Sequence, residues 1–250
     1  MSSNSKVSTY EHEITSISEL LTFLESYDDQ DLILFRGQSA DWPLRPKIAR
    51  ESSVPREGMI EIENNVFNTF RRRALPHLLA VPETAWDWLA LAQHHGLPTR
   101  LLDWSGNPLA ALWFAVQKPS SDSKPAVVWA YKPTESDELT DFQGNPFAVQ
   151  RSLLFRPNHI TRRIVAQGGH FTIHAHLPDH GGFIPFENDP LRGGELTKFI
   201  IPATAFSNLR WYLDRCGIES ATMFPDLDGL ASYIEWCHYI LPDEPKNYNE

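Results

Sequence analysis

The sequence predicts a single-domain α+β fold in which a mixed or mainly antiparallel sheet is flanked by helices. Amphipathic helical patterns dominate the N-terminal half of the chain, and short apolar runs between prolines and glycines follow. These strand-like and helical segments do not alternate regularly, which argues against a parallel sheet built from β–α–β units.

The composition is that of a globular protein with a sizeable core, because 42% of the 250 residues are hydrophobic and 22% are charged. A net charge of −10 argues against a broad nucleic-acid-binding face. The two cysteines, Cys216 and Cys237, lack the spacing of a zinc site or a disulfide framework, as expected for a protein of the reducing cytoplasm. We predict a cytoplasmic protein without membrane segments, because no apolar stretch has the length of a bilayer span.

The first elements are predicted from local patterns. Residues 1–15 are polar and predict a flexible N-terminus, ahead of a domain over 16–240 and a flexible tail over 241–250. Ser16 and Glu19 form a capping box, which starts a helix that runs to about residue 27. The apolar run 32–35 predicts a buried strand with Arg36 at its exit, and residues 58–73 predict the next helix.

The segment 89–116 contains the densest polar chemistry. A helix that ends at Gly96 is followed by an extended segment, 99–104, and then by an apolar, buried helix over 109–116. Ser105 and Asn107 are placed to cap that last helix, whose N-terminal N–H groups favour an anion such as phosphate.

The remaining elements are simpler. Residues 126–131 and 196–201 predict strands, and the irregular stretch 178–194 predicts a loop. Residues 205–216 form an amphipathic helical pattern capped by Gly217, and a last helix follows Pro225. Asp226 and Asp228 suit its N-cap and first turn better than a pair of catalytic carboxylates.

These patterns predict a polar pocket where strands and a helix meet. Glycine after Arg36 lets a ligand approach the backbone, and the guanidinium suits a phosphate. An alternative is a structural ion pair of Arg36 with Asp103, Glu63 or Asp226. The predicted cofactor-binding residues are Arg36, Gly37, Gln38, His94, Thr99, Arg100 and Asp103.

The other histidines and the known catalytic motifs give little signal. His94 acts either as a base or as a hydrogen-bonded core residue, and the second is favoured. His170, His174 and His176 alternate along one strand, but no carboxylate at a fixed spacing accompanies them, so no metal is predicted. The sequence contains no GxSxG, HExxH, Walker or GxGxxG motif.

Four motifs together closely resemble the FRG domain family, which is named for its Phe-Arg-Gly motif. They are Phe-Arg-Gly-Gln at 35–38, the run from Gln93 to Leu109, Gln-Gly-Gly-His-Phe at 167–171, and Phe-Pro-Asp-Leu-Asp-Gly-Leu at 224–230. The resemblance extends from about residue 30 to residue 232. It departs from the family at His95, where a tyrosine is usual.

The layout is also distantly similar to that of the ADP-ribosyltransferases. That similarity implies NAD as cofactor, with Arg36 on its ribose or diphosphate and Ser105 beside the nicotinamide half. Breaking the nicotinamide bond passes through a ribose cation, which a carboxylate stabilises. Two residues compete for that third catalytic position: Glu195, just before a strand, and Gln167, within a family motif.

Several functions therefore stay open. One is an ADP-ribosyltransferase-like effector or toxin of bacterial defence or of a toxin–antitoxin pair, with an antitoxin or regulatory protein as partner and a nucleic acid or protein as acceptor. Another is a nucleotide or nucleic-acid binding module without catalysis. The third is a metal-independent, nuclease-type toxin that uses His94, Arg100 and Asp103 as its relay.

Overall fold

A computed structural model describes residues 9–50, 58–157, 169–178 and 182–245. It confirms the α+β prediction: seven strands form one mixed sheet in the order β1-β7-β4-β2-β3-β6-β5. Only β1 and β7 pair in parallel, and all other described neighbours are antiparallel. The strands are β1 (Thr9–Glu13), β2 (Leu34–Gln38), β3 (Leu101–Ser105), β4 (Ala126–Lys132), β5 (Leu153–Phe155), β6 (Gly169–Ile173) and β7 (Glu195–Ile201).

Most of the helices in the described part of the chain lie close to the predicted positions, and the short helix Ser220–Met223 was not predicted. They are α1 (Ile17–Leu24), α2 (Met59–Ala74), α3 (Ala85–His94), α4 (Pro108–Val116), α5 (Phe206–Arg215), α6 (Ser220–Met223) and α7 (Leu227–His238). None of them is long and apolar enough to cross a bilayer.

Helix α4 is the centre of the main core. It packs on β2 and β4, with α1 and α5 beside it, and is buried nearly all round as its apolar sequence predicts. The contact with β2 is closest at Gly37, where an added Cβ would lie 1.8 Å from the carbonyl oxygen of Ala111. Only glycine fits this crossing, so Gly37 sets how closely α4 approaches the sheet.

Side-chain caps fix three helix starts. Ser16 and Glu19 form the predicted capping box of α1, Asn107 caps α4, and Asp226 caps α7 by accepting from the Gly229 N–H at 2.9 Å. The structure therefore uses Asp226 as an N-cap, which confirms the preferred interpretation.

Both chain ends differ from the predicted flexible segments. Residues 9–13 form β1, whose side chains are exposed but whose backbone pairs with β7, so apolar alternation does not reveal this edge strand. At the other end, Asp243 and Glu244 bind the buried guanidinium of Arg210 at 2.5 and 3.0 Å. Residues 1–8 and 246–250 lie outside the described residues.

Candidate functional site

The sheet opens between its two central strands. β2 and β3 pair only through Phe35 and Ser105, whereas β2 pairs with β4, and β3 with β6, over five residues each. A pocket of about 650 Å³ lies at this opening. It is lined by Phe35, Arg36, Gly37, Lys47, Arg50, Gln93, His94, His95, Gly96, Leu97, Asp103, Trp104, Ser105, Ala111, Phe114, Gly169, His170 and Phe171.

Arg36 bridges the opening. Its Nη1 donates to the backbone carbonyl oxygen of Asp103 at 2.8 Å and lies 3.8 Å from the Asp103 carboxylate. Its Nε is buried and has no hydrogen-bond partner among the described residues. The pKa of Arg36 is lowered to about 10, mainly by burial; Asp103 opposes the shift, and the charge of Arg50 adds to it. The guanidinium is thus a desolvated, incompletely compensated cation, to which an anion would bind favourably.

Two further cations lie on the segment that follows β2. Lys47 donates to the carbonyl oxygen of Gly96 at 2.7 Å, and Arg50 donates through Nε to that of Arg45 at 3.2 Å. Both residues are exposed at the pocket rim, so their charges face solvent and any bound ligand. The pocket concentrates positive charge in a protein of net charge −10.

Asp103 is the one carboxylate among the described lining residues. Its Oδ2 accepts from Gln93 Nε2 at 2.8 Å, and Gln93 Oε1 accepts from Thr99 Oγ1 at 2.6 Å. These bonds tie the end of α3 to β3 along the pocket wall.

A buried polar layer lies behind the wall. Trp104 Nε1 donates to Thr172 Oγ1 at 3.0 Å, and Thr172 Oγ1 is hydrogen-bonded to His174 Nε2 at 3.0 Å. The pKa of His174 is lowered to about 3, mainly by burial, and the charges of Arg36 and Arg100 contribute to the shift. His174 is therefore neutral at physiological pH, and it stabilises this layer through hydrogen bonding.

The structure brings five of the predicted site residues together: Arg36, Gly37, His94, Asp103 and Ser105 all line the pocket. The helix-end contribution to anion binding differs from the expectation. The N–H groups of Leu109 and Ala110 already bond to Asn107 Oδ1, and Ser105 Oγ accepts from the Asn107 N–H instead of capping α4 itself. The positive charge of the pocket therefore comes from side chains.

Three predicted cofactor-binding residues lie outside the lining set. Gln38 is buried and accepts from Trp129 Nε1, and Thr99 reaches the wall only through Gln93. Arg100 is sealed in the core by two hydrogen bonds to Glu63, at 2.9 and 2.6 Å. Glu63 thus compensates Arg100, not Arg36 as the ion-pair alternative allowed.

The two candidates for the third catalytic position do not complete the pocket. Glu195 is exposed at the start of β7, opposite Lys132, and β4 separates that strand from β2. Gln167 lies outside the described residues. In the described part of the chain, no three His, Cys, Asp or Glu side chains converge as a metal site.

Sequence patterns missed several lining residues. Lys47 and Arg50 belong to a 3₁₀ turn and its C-cap, whose position beside α3 depends on tertiary packing. Gln93 and Phe114 lie in helices whose apolar patterns do not mark them as pocket residues. One sequence signal could have identified Gln93: it begins the motif from Gln93 to Leu109, which also contains Asp103, ten residues later.

The model of the FRG domain family matches residues 31–124. The chain contains an FRG domain. The matched residues of the FRG domain include every lining residue of the pocket except Gly169, His170 and Phe171 of β6. The resembling motifs at 167–171 and 224–230 lie beyond the match. No curated protein and no solved structure matches the chain.

Proposed function

We propose that the pocket of the FRG domain binds NAD and that the protein breaks the bond between ribose and nicotinamide. The observation that carries the proposal is the incompletely paired, buried guanidinium of Arg36 at the same opening as Ser105. These two residues occupy the first two positions of the ADP-ribosyltransferase-like layout. ADP-ribose then goes either to a nucleophilic group of a protein or nucleic acid, or to water.

The diphosphate has a binding place on the cationic side of the pocket. Arg36 supplies a fork of N–H donors suited to phosphate, and Lys47 and Arg50 add charge at the rim. Three cations around two phosphates explain why an acidic protein would concentrate positive charge here. The volume of about 650 Å³ is within the range of small-molecule and cofactor sites.

The nicotinamide half suits the opposite wall. Phe114, which is half-buried on α4, contributes aromatic surface for a planar ring. The Ser105 hydroxyl oxygen accepts from the Asn107 N–H at 3.0 Å, which fixes the position of this side chain in the pocket wall. Such a site would hold the dinucleotide with its scissile bond near the strand opening.

Binding without chemistry is the second candidate. It is favoured by one specific observation: the predicted carboxylate, Glu195, does not line the pocket. If the protein transfers ADP-ribose, we propose that it acts as an effector or toxin of bacterial defence. An antitoxin or regulatory protein would then restrain it.

Calorimetric titration of the full chain with NAD, ADP-ribose and a short oligonucleotide tests the proposal, together with chromatographic detection of nicotinamide released from NAD. We expect NAD to bind and Arg36→Gln to weaken binding by about tenfold to a hundredfold, the effect of losing a charged hydrogen-bonding partner. Arg73→Ala, which removes an exposed charge at the end of α2, is the control and should bind normally. Failure of NAD to bind, or equal binding by Arg36→Gln, would overturn the proposal. Binding without nicotinamide release, with and without a cell extract as acceptor source, would favour the binding module.

A further inference from the structure

We infer that Asp103 is the catalytic carboxylate of this pocket and that Gln93 and Thr99 are its positioning residues. The inference rests on the proposed function and assigns to Asp103 the role that the sequence analysis predicted for Glu195 or Gln167. It depends on how the Asp103 side chain is held and on which of its oxygens stays open.

One carboxylate oxygen is held and the other is available. Oδ2 accepts from Gln93 Nε2 at 2.8 Å, whereas Oδ1 has no hydrogen bond among the described residues. The side chain of Asp103 is 57% exposed and lines the pocket. Oδ1 can therefore accept a hydrogen bond from a ribose hydroxyl without losing a protein contact.

A directional hydrogen-bond chain fixes the Gln93 amide. Thr99 is buried, and its Oγ1 accepts from the Leu101 N–H at 3.1 Å, which commits the hydroxyl hydrogen to Gln93 Oε1 at 2.6 Å. With Oε1 occupied as an acceptor, Nε2 points to Asp103. The reversed amide would set Oε1 against the carboxylate, an acceptor against an acceptor.

Arg36 holds the same residue by its backbone. Nη1 donates to the Asp103 carbonyl oxygen at 2.8 Å but lies 3.8 Å from the carboxylate. A carboxylate that served only to neutralise Arg36 would form close, bidentate bonds, as Glu63 does with Arg100. Asp103 is instead fixed at its backbone by Arg36 and at its side chain by Gln93, and its Oδ1 has no hydrogen bond among the described residues.

This geometry suits the cleavage step. As the C1′–N bond of NAD breaks, its electron pair goes to the nicotinamide nitrogen, and positive charge develops on the ribose. The Asp103 carboxylate stabilises that charge. Water, or a hydroxyl group of the acceptor, then forms the new bond to C1′ and releases its proton to solvent.

Kinetics of nicotinamide release and calorimetric NAD binding, measured on the full chain, test the assignment. We expect Asp103→Asn to leave the NAD Kd within about threefold while kcat falls by about a hundredfold or more, because it removes transition-state stabilisation. Asp122→Asn is the matched control, since that aspartate is exposed away from the pocket. Circular dichroism and thermal unfolding check that each variant is folded.

The roles of Gln93 and Thr99 are tested by kinetic measurements whose expected changes differ from a simple loss of folded protein. Gln93→Glu sets a second carboxylate beside Asp103, and repulsion between the two raises the pKa of the pair. We expect the acid limb of the kcat–pH profile to move up by about one unit or more. Gln143→Glu, at an exposed position, should leave the profile unchanged. Thr99→Val should lower kcat with little change in KM, and Thr99→Ser, which keeps the hydroxyl, should restore it.

The outcomes separate this inference from the proposed function. NAD cleavage by the native chain with unchanged kcat in Asp103→Asn overturns the assignment and leaves the function standing. NAD binding without cleavage overturns the assignment and supports the binding module, and absence of NAD binding overturns both. An unmoved acid limb in Gln93→Glu overturns the positioning part alone.

Discussion

Arg36 and Arg100 both lie beside β3, but they differ in burial and in how their charge is compensated: the side chain of Arg36 is 13% exposed and that of Arg100 is 2% exposed. Arg100 forms two bonds to Glu63, donates to the Phe147 carbonyl oxygen, and lies over the Phe147 and Phe183 rings. Arg36 has one backbone acceptor and a carboxylate, that of Asp103, 3.8 Å away, and its Nε has no partner among the described residues. The sequence predicted both as ligand-binding residues. The difference indicates that an arginine with complete compensation is structural, and one with incomplete compensation at a pocket is available to a ligand.

The largest expected effect comes from breaking the compensated pair. Glu63→Gln keeps the shape of the side chain but leaves the Arg100 charge buried without its counterion, so the free energy of unfolding should fall by about 3–5 kcal/mol. Urea denaturation measures it, with the exposed Glu61→Gln of the same helix as control. A loss below about 1 kcal/mol would show that Arg100 is not held as the structure indicates.

The next largest effect is expected at Arg36, as a difference in how much NAD stabilises the folded protein. At a concentration of a hundred times its Kd, NAD should raise the free energy of unfolding of the native chain by about 2.7 kcal/mol. The same NAD concentration should raise the free energy of unfolding of Arg36→Gln by only about 0.4–1.4 kcal/mol, because its affinity for NAD is tenfold to a hundredfold weaker. Denaturation with and without NAD gives both numbers, and equal stabilisation of the two proteins would contradict the comparison.

The charges of Arg36 and Arg100 both act on His174, and the contribution of His174 to the free energy of unfolding depends on pH. The unfolded chain protonates this histidine near its ordinary pKa of 6.5, whereas the folded chain does so only at about 3. Between these values the unfolded state binds more protons, so stability is lost as the pH falls. The contribution of His174 approaches about 1.4 kcal/mol per pH unit.

His174→Gln should flatten the dependence of the free energy of unfolding on pH between 6 and 4, as measured by denaturation at a series of pH values. The exposed His238→Gln is the control. Equal slopes for His174→Gln and the native chain would mean that His174 is not excluded from protons.

The smallest effect on stability is expected at Asp103. Its carboxylate is 57% exposed and 3.8 Å from Arg36, so Asp103→Ala should change the free energy of unfolding by less than about 1 kcal/mol. Thermal denaturation beside Glu63→Gln measures the contrast. A loss as large as that of Glu63→Gln would make Asp103 a structural counterion.

Local signals predicted most of the helices correctly. The Ser16 capping box, the Asn107 cap and the Gly217 C-terminus, with φ at +73°, depend on neighbouring residues and can be read from sequence. β1 could not be read in this way, because its exposed side chains give no apolar alternation and its pairing partner lies nearly 190 residues away.

The site was predictable only in part, for a topological reason. Arg36 and Ser105 were recognisable because a buried strand or helix adjoins each of them. The sequence does not show that β4 lies between β7 and β2, which removes Glu195 from the pocket, or that α2 brings Glu63 to Arg100. Placement across a sheet depends on strand order, which local patterns do not encode.

The pocket has a floor at Gly37, where β2 and α4 are in close contact, and a rim at Lys47 and Arg50. The floor cannot change without moving α4, whereas the rim can. Any side chain at Gly37 would have to lift α4 away from β2, since its Cβ would overlap the Ala111 carbonyl. Lys47 and Arg50 are exposed, and among the described residues they donate to backbone carbonyl oxygens alone. Attempts to redirect the ligand preference of this scaffold should therefore vary the rim at these two positions and leave the floor intact.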